Sequence, residues 1–209
     1  RGGIEADVTI VRSAPDQFEV TSGAATRWRD LAFLRRQLSG TVSIYDRTEA
    51  SCIIGVMGQG SRACLQALDS DWVDTGFGRV TPVTIAGCAC RATRLSFVGE
   101  LGWEIEVANA EAPDVFVALE AGSAKPMGMY AVDACRIEKG YRHWGHDVGP
   151  MITPLEAGLG FIVDWSKEFI GKSVLEAQRD NGLQQQLVQL VVEGEPLILH
   201  DEPVWEDGL

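Results

Sequence analysis

Three observations predict an α+β fold built of antiparallel sheets with packed helices. Strand and helix patterns alternate along the chain, but the strands come as hairpins, which disfavours a doubly wound parallel sheet. The 209 residues are 45% hydrophobic, and a chain of this length buries roughly 70% of its unfolded surface, so it needs no disulfide staples to fold. No apolar run approaches the ~18 residues of a bilayer span.

Taken in order, Ile4, Ala6, Val8 and Ile10 alternate with Glu5, Asp7, Thr9 and Val11, a period-two pattern with one apolar face. Ala14-Pro15-Asp16 supplies a turn, and Gln17 to Ser22 is the returning strand. Gly23 breaks it, and Thr26 is placed to cap a helix reaching Leu38, with Leu31, Leu34 and Leu38 on one stripe. Thr41 to Asp46 and Cys52 to Met57 read as strands, and Ser61 to Leu68 as a short helix. Val83 to Ile85, Cys90 to Phe97 and Trp103 to Val107 read as further strands. Helices are expected over Ala112 to Ala121 and over Gly128 to Lys139, the latter stopped by Gly140. His143 to Gly160 is rich in Gly and Pro without a clean period and reads as a long loop. Ser173 to Arg179 reads as helix and Gln185 to Val192 as strand.

Charge excludes some partners. With 18 Lys and Arg against 30 Asp and Glu the chain carries −12, a poor match to nucleic acid or an anionic membrane. Glu193 to Leu209 holds six of the acids and no Lys or Arg. The five cysteines, Cys52, Cys64, Cys88, Cys90 and Cys135, follow no secretory signal; they are expected as reduced thiols in cytosol or a mitochondrial matrix. The chain opens on Arg1 without an initiator Met and ends at a turn-like Glu206-Asp207-Gly208-Leu209, as a fragment would.

Several motifs carry candidate chemistry. Gly58-Gln59-Gly60-Ser61-Arg62-Ala63 has dinucleotide-loop spacing, but the helix after it is barely two turns and no acid-terminated second strand follows, which favours a plain turn. His143 and His146 with Asp147 resemble a metal pair, yet no nearby Cys or His completes a shell and His200 is distant. Cys88 and Cys90 share a strand face, which suits packing. Asp133 and Arg136 sit one helical turn apart and are either a surface pair or a site pair. Asp7 with Glu5 and Thr9, and Glu104 with Glu106, form polar faces opposite apolar ones. Such faces are either solvated or aim a carboxylate into a cleft, as a base or as an acceptor for paired N–H donors.

Gly2-Gly3-Ile4-Glu5-Ala6-Asp7, Val98-Gly99-Glu100-Leu101-Gly102-Trp103-Glu104 and Asp133-Ala134-Cys135-Arg136-Ile137-Glu138-Lys139-Gly140 together resemble the aminomethyltransferase family, which includes the glycine cleavage T-protein. Tyr141 to Asp147 and Thr153 to Gly160 are most similar to the folate-binding C-terminal region of dimethylglycine and sarcosine dehydrogenases. The resemblance implies tetrahydrofolate as ligand and one-carbon transfer from an aminomethyl or N-methylamine-derived iminium donor, giving 5,10-methylenetetrahydrofolate. It implies Asp7 as the catalytic acid–base group, Glu104 as the pterin carboxylate, and Arg136 and Phe97 as folate-site residues. It also implies a folate-binding region over 1–182, lacking its N-terminal part, and the start of a β-barrel-like domain over 183–209.

The sequence departs from the family in places. Phe97 stands where many members carry Tyr, so it can stack but not donate a hydroxyl. No nucleotide-binding module for FAD is present in these residues, so FAD is expected only if a separate upstream module exists. The donor is left open between an aminomethyl group on a lipoyl carrier protein and a small N-methylamine. One rival is a non-catalytic folate-binding module of the same fold. Its iron–sulfur assembly branch has Cys after Lys-Gly, where this chain has Tyr141. The other rival is a nucleotide oxidoreductase resting on Gly58-Gln59-Gly60.

Overall fold

A computed structural model describes residues 2–205 apart from 39, 41, 70, 195, 200 and 201. His200, Thr41 and the terminal 206–209 therefore lie outside the described residues.

Strands β1 (Val8–Ala14) and β2 (Gln17–Ser22) pair antiparallel as a hairpin, Val8 opposite Ser22. A 3₁₀ turn (Ala24–Thr26) leads into α1 (Arg27–Gln37). Next come β3 (Ser51–Met57), α2 (Ser61–Leu68), β4 (Val80–Ile85), β5 (Cys88–Thr93) and β6 (Gly102–Ala108). These four strands form one antiparallel sheet in the order β3-β6-β5-β4. Helices α3 (Ala112–Ala121), α4 (Met129–Glu138) and α5 (Lys172–Asn181) complete the chain. The predicted α+β class holds.

Residue choice explains the sheet. Pro82 cannot donate to a ladder, and it sits on the edge strand β4. Ala86 and Gly87, both at positive φ (53° and 77°), make the two-residue turn between β4 and β5, the geometry that matches hairpin twist. On β6, Trp103, Ile105 and Val107 are fully buried and form the core with Leu65 of α2 and Val115 and Leu119 of α3. Trp72 meets Trp103 edge to face at 5.3 Å, a favoured aromatic arrangement. Cys64, Cys88 and Cys90 are buried in this core, where burial raises their thiol pKa values. They are packing residues, as the shared strand face implied.

The opposite face of β6, with Glu104 and Glu106, meets the β1–β2 hairpin. This reverses the hairpin expected from hydropathy. Val8 and Ile10 are exposed, while Thr9 and Val11 turn inward. The interlayer is held by charge: the Arg91 guanidinium of β5 binds Glu19 of β2 and Glu106 of β6 together. That hydrogen bond holds the Glu19 carboxyl below its ordinary range. An alternation scan assigns the apolar face inward and has no access to an ion network formed between strands distant in sequence.

Other boundaries shift for local reasons. The regular strand begins at Val8, because Gly2 to Ile4 dock elsewhere. Thr26 does not cap α1 through a backbone N–H; its hydroxyl binds the Asp30 carboxylate at 2.5 Å. Residues 42–46 form no strand, and Asp46 instead accepts from Arg27 and Thr48. These bonds, led by the Thr48 hydroxyl, hold its carboxyl at about 2. β5 stops at Thr93 because the Leu95 N–H folds back onto the Thr93 carbonyl, leaving Phe97 on a loop. Residues 185–192 make no ladder; the Leu187 N–H donates to the Glu156 carbonyl. A strand needs a neighbour's carbonyls and N–H groups in register, and an alternating pattern alone supplies none.

Candidate functional site

A cavity of about 770 Å³ opens where the hairpin, α1, β6 and the loop at 143–146 converge. Such a volume suits a drug-sized ligand. Asp7, Phe97 and Glu104 all line it, so three of the four residues singled out in the sequence come together.

Asp7 is delivered by the Gly-Gly segment before it. The Ile4 N–H is shared between the carbonyls of Gly149 and Ile152, at 3.1 and 3.0 Å. The Ile4 carbonyl in turn accepts from the Trp144 indole at 2.8 Å. A Cβ on Gly3 would stand 1.9 Å from the Pro150 carbonyl oxygen, so only glycine permits this approach. The docked segment then leads Asp7 to the cavity mouth, just ahead of β1.

Glu104 sits mid-strand on β6, with Gly55 and Thr93 as its ladder neighbours. Its carboxylate is half-buried and has no hydrogen-bond or ion-pair partner among the described residues. Burial pushes its carboxyl above the ordinary value of 4.5. On the same wall the buried Ser96 hydroxyl also lacks a partner. Buried polar groups are nearly always satisfied, so the unpartnered Glu104 carboxylate lining this cavity marks a place for a ligand.

Phe97 meets the His143 ring edge to face at 5.8 Å, and His143 lies 4.5 Å from His146. The two histidines line the cavity. Among the described residues no group of three or more His, Cys, Asp or Glu is arranged to hold a metal.

Arg136 is not among the lining residues. It is buried on α4, its Nε donating to Asp133 at 2.6 Å and its Nη1 to Asp147 and to the Tyr141 carbonyl. Asp147 also accepts the His143 N–H at 2.9 Å. Arg136 thus ties α4 to the loop that carries His143, Trp144 and His146. The predicted stop of α4 at Gly140 is a Schellman turn, with Gly140 N–H to Ile137 and Tyr141 N–H to Arg136.

The Gly58-Gln59-Gly60 turn lines no part of this cavity. Its Ser61 hydroxyl closes onto the Gly58 carbonyl at 2.6 Å, and the Gly58 N–H binds the Leu101 carbonyl at 2.7 Å. These bonds make it a strand-to-helix turn.

Residues 1–167 match the GCVT N-terminal domain. The chain belongs to this aminomethyltransferase family. It is 35% identical over 233 residues to mitochondrial sarcosine dehydrogenase of Homo sapiens, covering 100% of this chain and 25% of that protein. To 4-methylaminobutanoate oxidase (formaldehyde-forming) of Paenarthrobacter nicotinovorans it is 38% identical over 222 residues, 100% of this chain and 27% of that one. To the aminomethyltransferase of Thermosynechococcus vestitus it is 32% identical, across 98% of this chain and 56% of the relative. The chain thus spans about a quarter of the dehydrogenase and oxidase and about half of the aminomethyltransferase.

The glycine cleavage system aminomethyltransferase T from Bartonella henselae shares the fold, with a TM-score of 0.72 at 22% identity. That likeness covers 87% of this chain and 50% of that structure. In this family member no helix among the described residues is long and apolar enough to cross a membrane. Sequence reasoning gave no role to Ser96 or Arg29. Arg29 lies in a run of four arginines on α1 with no period to single it out.

Proposed function

We propose that this chain binds tetrahydrofolate in the cavity and takes part in transfer of a one-carbon unit onto it. The donor is an aminomethyl group or an N-methylamine-derived iminium, and the product is 5,10-methylenetetrahydrofolate. The observation that carries this reading is Glu104, a half-buried carboxylate without a partner among the described residues, lining the same cavity as Asp7 and Phe97.

A reduced pterin edge offers a ring N–H beside an amino group, which one carboxylate accepts through two parallel bonds. Glu104 supplies that acceptor, and a ligand so bound repairs the desolvation that raises its pKa. Phe97 supplies an aromatic face. When bound, the folate supplies two nitrogens, N5 and N10, between which the one-carbon unit is held. Asp7 accepts the proton released from a folate nitrogen as its bond to the incoming carbon forms, and returns a proton to the departing amine.

In this reading residues 1–182 make the folate-binding unit and 183–209 open the next domain, while FAD enters only if a separate upstream module exists. The donor is a small N-methylamine or an aminomethyl-lipoyl carrier protein. The compartment is cytosol or a mitochondrial matrix, and neither nucleic acid nor a membrane is a partner.

Titration of tetrahydrofolate against tryptophan fluorescence tests the reading, because Trp144 lines the cavity. Saturable quenching by tetrahydrofolate and none by NAD is expected. Quenching by NAD with no response to reduced folate would favour an oxidoreductase.

Arg136 acts in this reading by holding the loop rather than touching the tail. Arg136→Lys keeps the charge but loses the fork that reaches Asp133, Asp147 and the Tyr141 carbonyl together. A stability loss of about 1–3 kcal/mol is expected in denaturant unfolding. Folate affinity should drop by one common factor for mono- and polyglutamylated forms. A loss that grows with tail length would instead put the guanidinium on the tail.

A further inference from the structure

The cavity is lined by two carboxylates, Asp7 and Glu104, within a chain of net charge −12. Arg29 of α1 is the one Lys or Arg among its described lining residues. Its guanidinium lies 4.2 Å over the ring of Trp144, which lines the same cavity. Trp144 is itself pinned by its indole N–H on the Ile4 carbonyl. On the other side, Asp30 accepts from Arg29 Nε and Nη2 at 3.0 and 2.8 Å through a single oxygen, Oδ1. The remaining oxygen of Asp30 takes the Thr26 hydroxyl. Burial raises the Asp30 carboxyl, but the Thr26 and Arg29 hydrogen bonds outweigh it and hold the group ionised below its ordinary range. The guanidinium is therefore fixed on one edge and one face. Nη1 has no partner among the described residues.

A cation held this way is a binding group. A surface arginine searching solvent loses rotamer freedom when it captures an anion, whereas Arg29 has already lost much of it to Asp30 and Trp144. The other charges facing the cavity are repulsive to an anion. A ligand carrying both an N–H-rich end and a carboxylate has one favourable orientation here: N–H groups on Glu104, carboxylate on Arg29.

We infer that Arg29, stacked on Trp144, is a carboxylate subsite that orients an anionic ligand in this cavity. The inference rests on the folate reading for the cavity's occupant, but the subsite itself follows from charge and geometry. Two sources share the chemistry: the glutamate tail of the folate, and the carboxylate of an N-methylamino acid donor.

The test compares wild type, Arg29→Gln and Arg29→Lys in the full-length protein by calorimetric and fluorescence titration. One arm uses tetrahydrofolate and a tail-less reduced pterin. The other uses an N-methylamino acid and the matching N-methylamine without its carboxylate. Arg29→Gln is expected to weaken the carboxylate-bearing member of one arm by about 10- to 100-fold, leave the carboxylate-free member unchanged, and be partly rescued by Arg29→Lys. Loss in the first arm assigns the subsite to the folate tail, and loss in the second to the donor. Equal loss for both members, or no loss in either arm, overturns the subsite. If wild type binds neither reduced folate nor reduced pterin, the folate reading fails, while the second arm still decides the subsite.

Discussion

Glu104→Gln is expected to weaken tetrahydrofolate binding by roughly thirty- to a thousandfold and, at neutral pH, to raise the melting temperature of the ligand-free protein. The first effect follows from losing two charge-assisted hydrogen bonds, worth on the order of 2–4 kcal/mol together. Glutamine keeps one acceptor but turns an NH₂ toward a donor on the pterin edge. The second effect follows from the direction of the pKa shift. Burial raises the folded-state pKa of Glu104 above 4.5, so the folded protein holds this proton more tightly than the unfolded chain. The associated stability is complete below the unfolded value and is lost as pH rises through the folded one. At pH 7 the ionised carboxylate therefore burdens the empty protein, and glutamine removes the burden. The gain in melting temperature should shrink as pH falls from the folded value toward 4.5 and be absent below it, where wild-type Glu104 is protonated in both states. Calorimetric scans from pH 4 upward, with folate titrations at pH 7, check both effects. An unchanged affinity would remove Glu104 from the ligand.

Asp7→Asn should act on rate and hardly on binding. The substitution keeps the shape of the side chain but removes the base, and general acid–base groups contribute ~10²–10⁴ in rate. Single-turnover transfer in the full-length protein should slow by that factor, with tetrahydrofolate affinity changed by no more than about threefold. Glu5, two residues earlier and outside the cavity lining, provides the control: Glu5→Gln should leave the rate at the wild-type level. Normal turnover by Asp7→Asn would overturn the catalytic assignment and favour a folate-binding module without transferase activity.

The two carboxylates also show how the sequence and the folded chain divide the information. Alternation in Trp103-Glu104-Ile105-Glu106-Val107 is legible because β6 is buried on one face by α2 and α3, a requirement that acts residue by residue along one strand. The stop of α4 at Gly140 is legible for a similar reason, since a left-handed C′ position favours glycine locally. The motif resemblance put Asp7, Phe97 and Glu104 on one list, and the fold brings them to one cavity. Patterning alone left both acidic faces open between solvent and site.

What only the tertiary structure decided involves partners far apart in sequence. The hairpin turns its polar face inward because Arg91 bridges Glu19 and Glu106, an arrangement invisible to a hydropathy window. At 42–46 and 185–192 alternation yields no strand, because it expresses a preference for half-burial but cannot supply a neighbouring ladder. Arg136 reads equally well as a surface pair or a ligand contact until Asp147, eleven residues on, folds back onto its other nitrogen. Arg29 carries no sequence signal; its meaning comes from Trp144, which the fold brings over from a loop more than a hundred residues away. Local sequence thus determines helices and turns, because those preferences arise within a few bonds, whereas a strand also needs a neighbour that folding brings into register. The charge environment of a side chain sums over neighbours that only folding assembles.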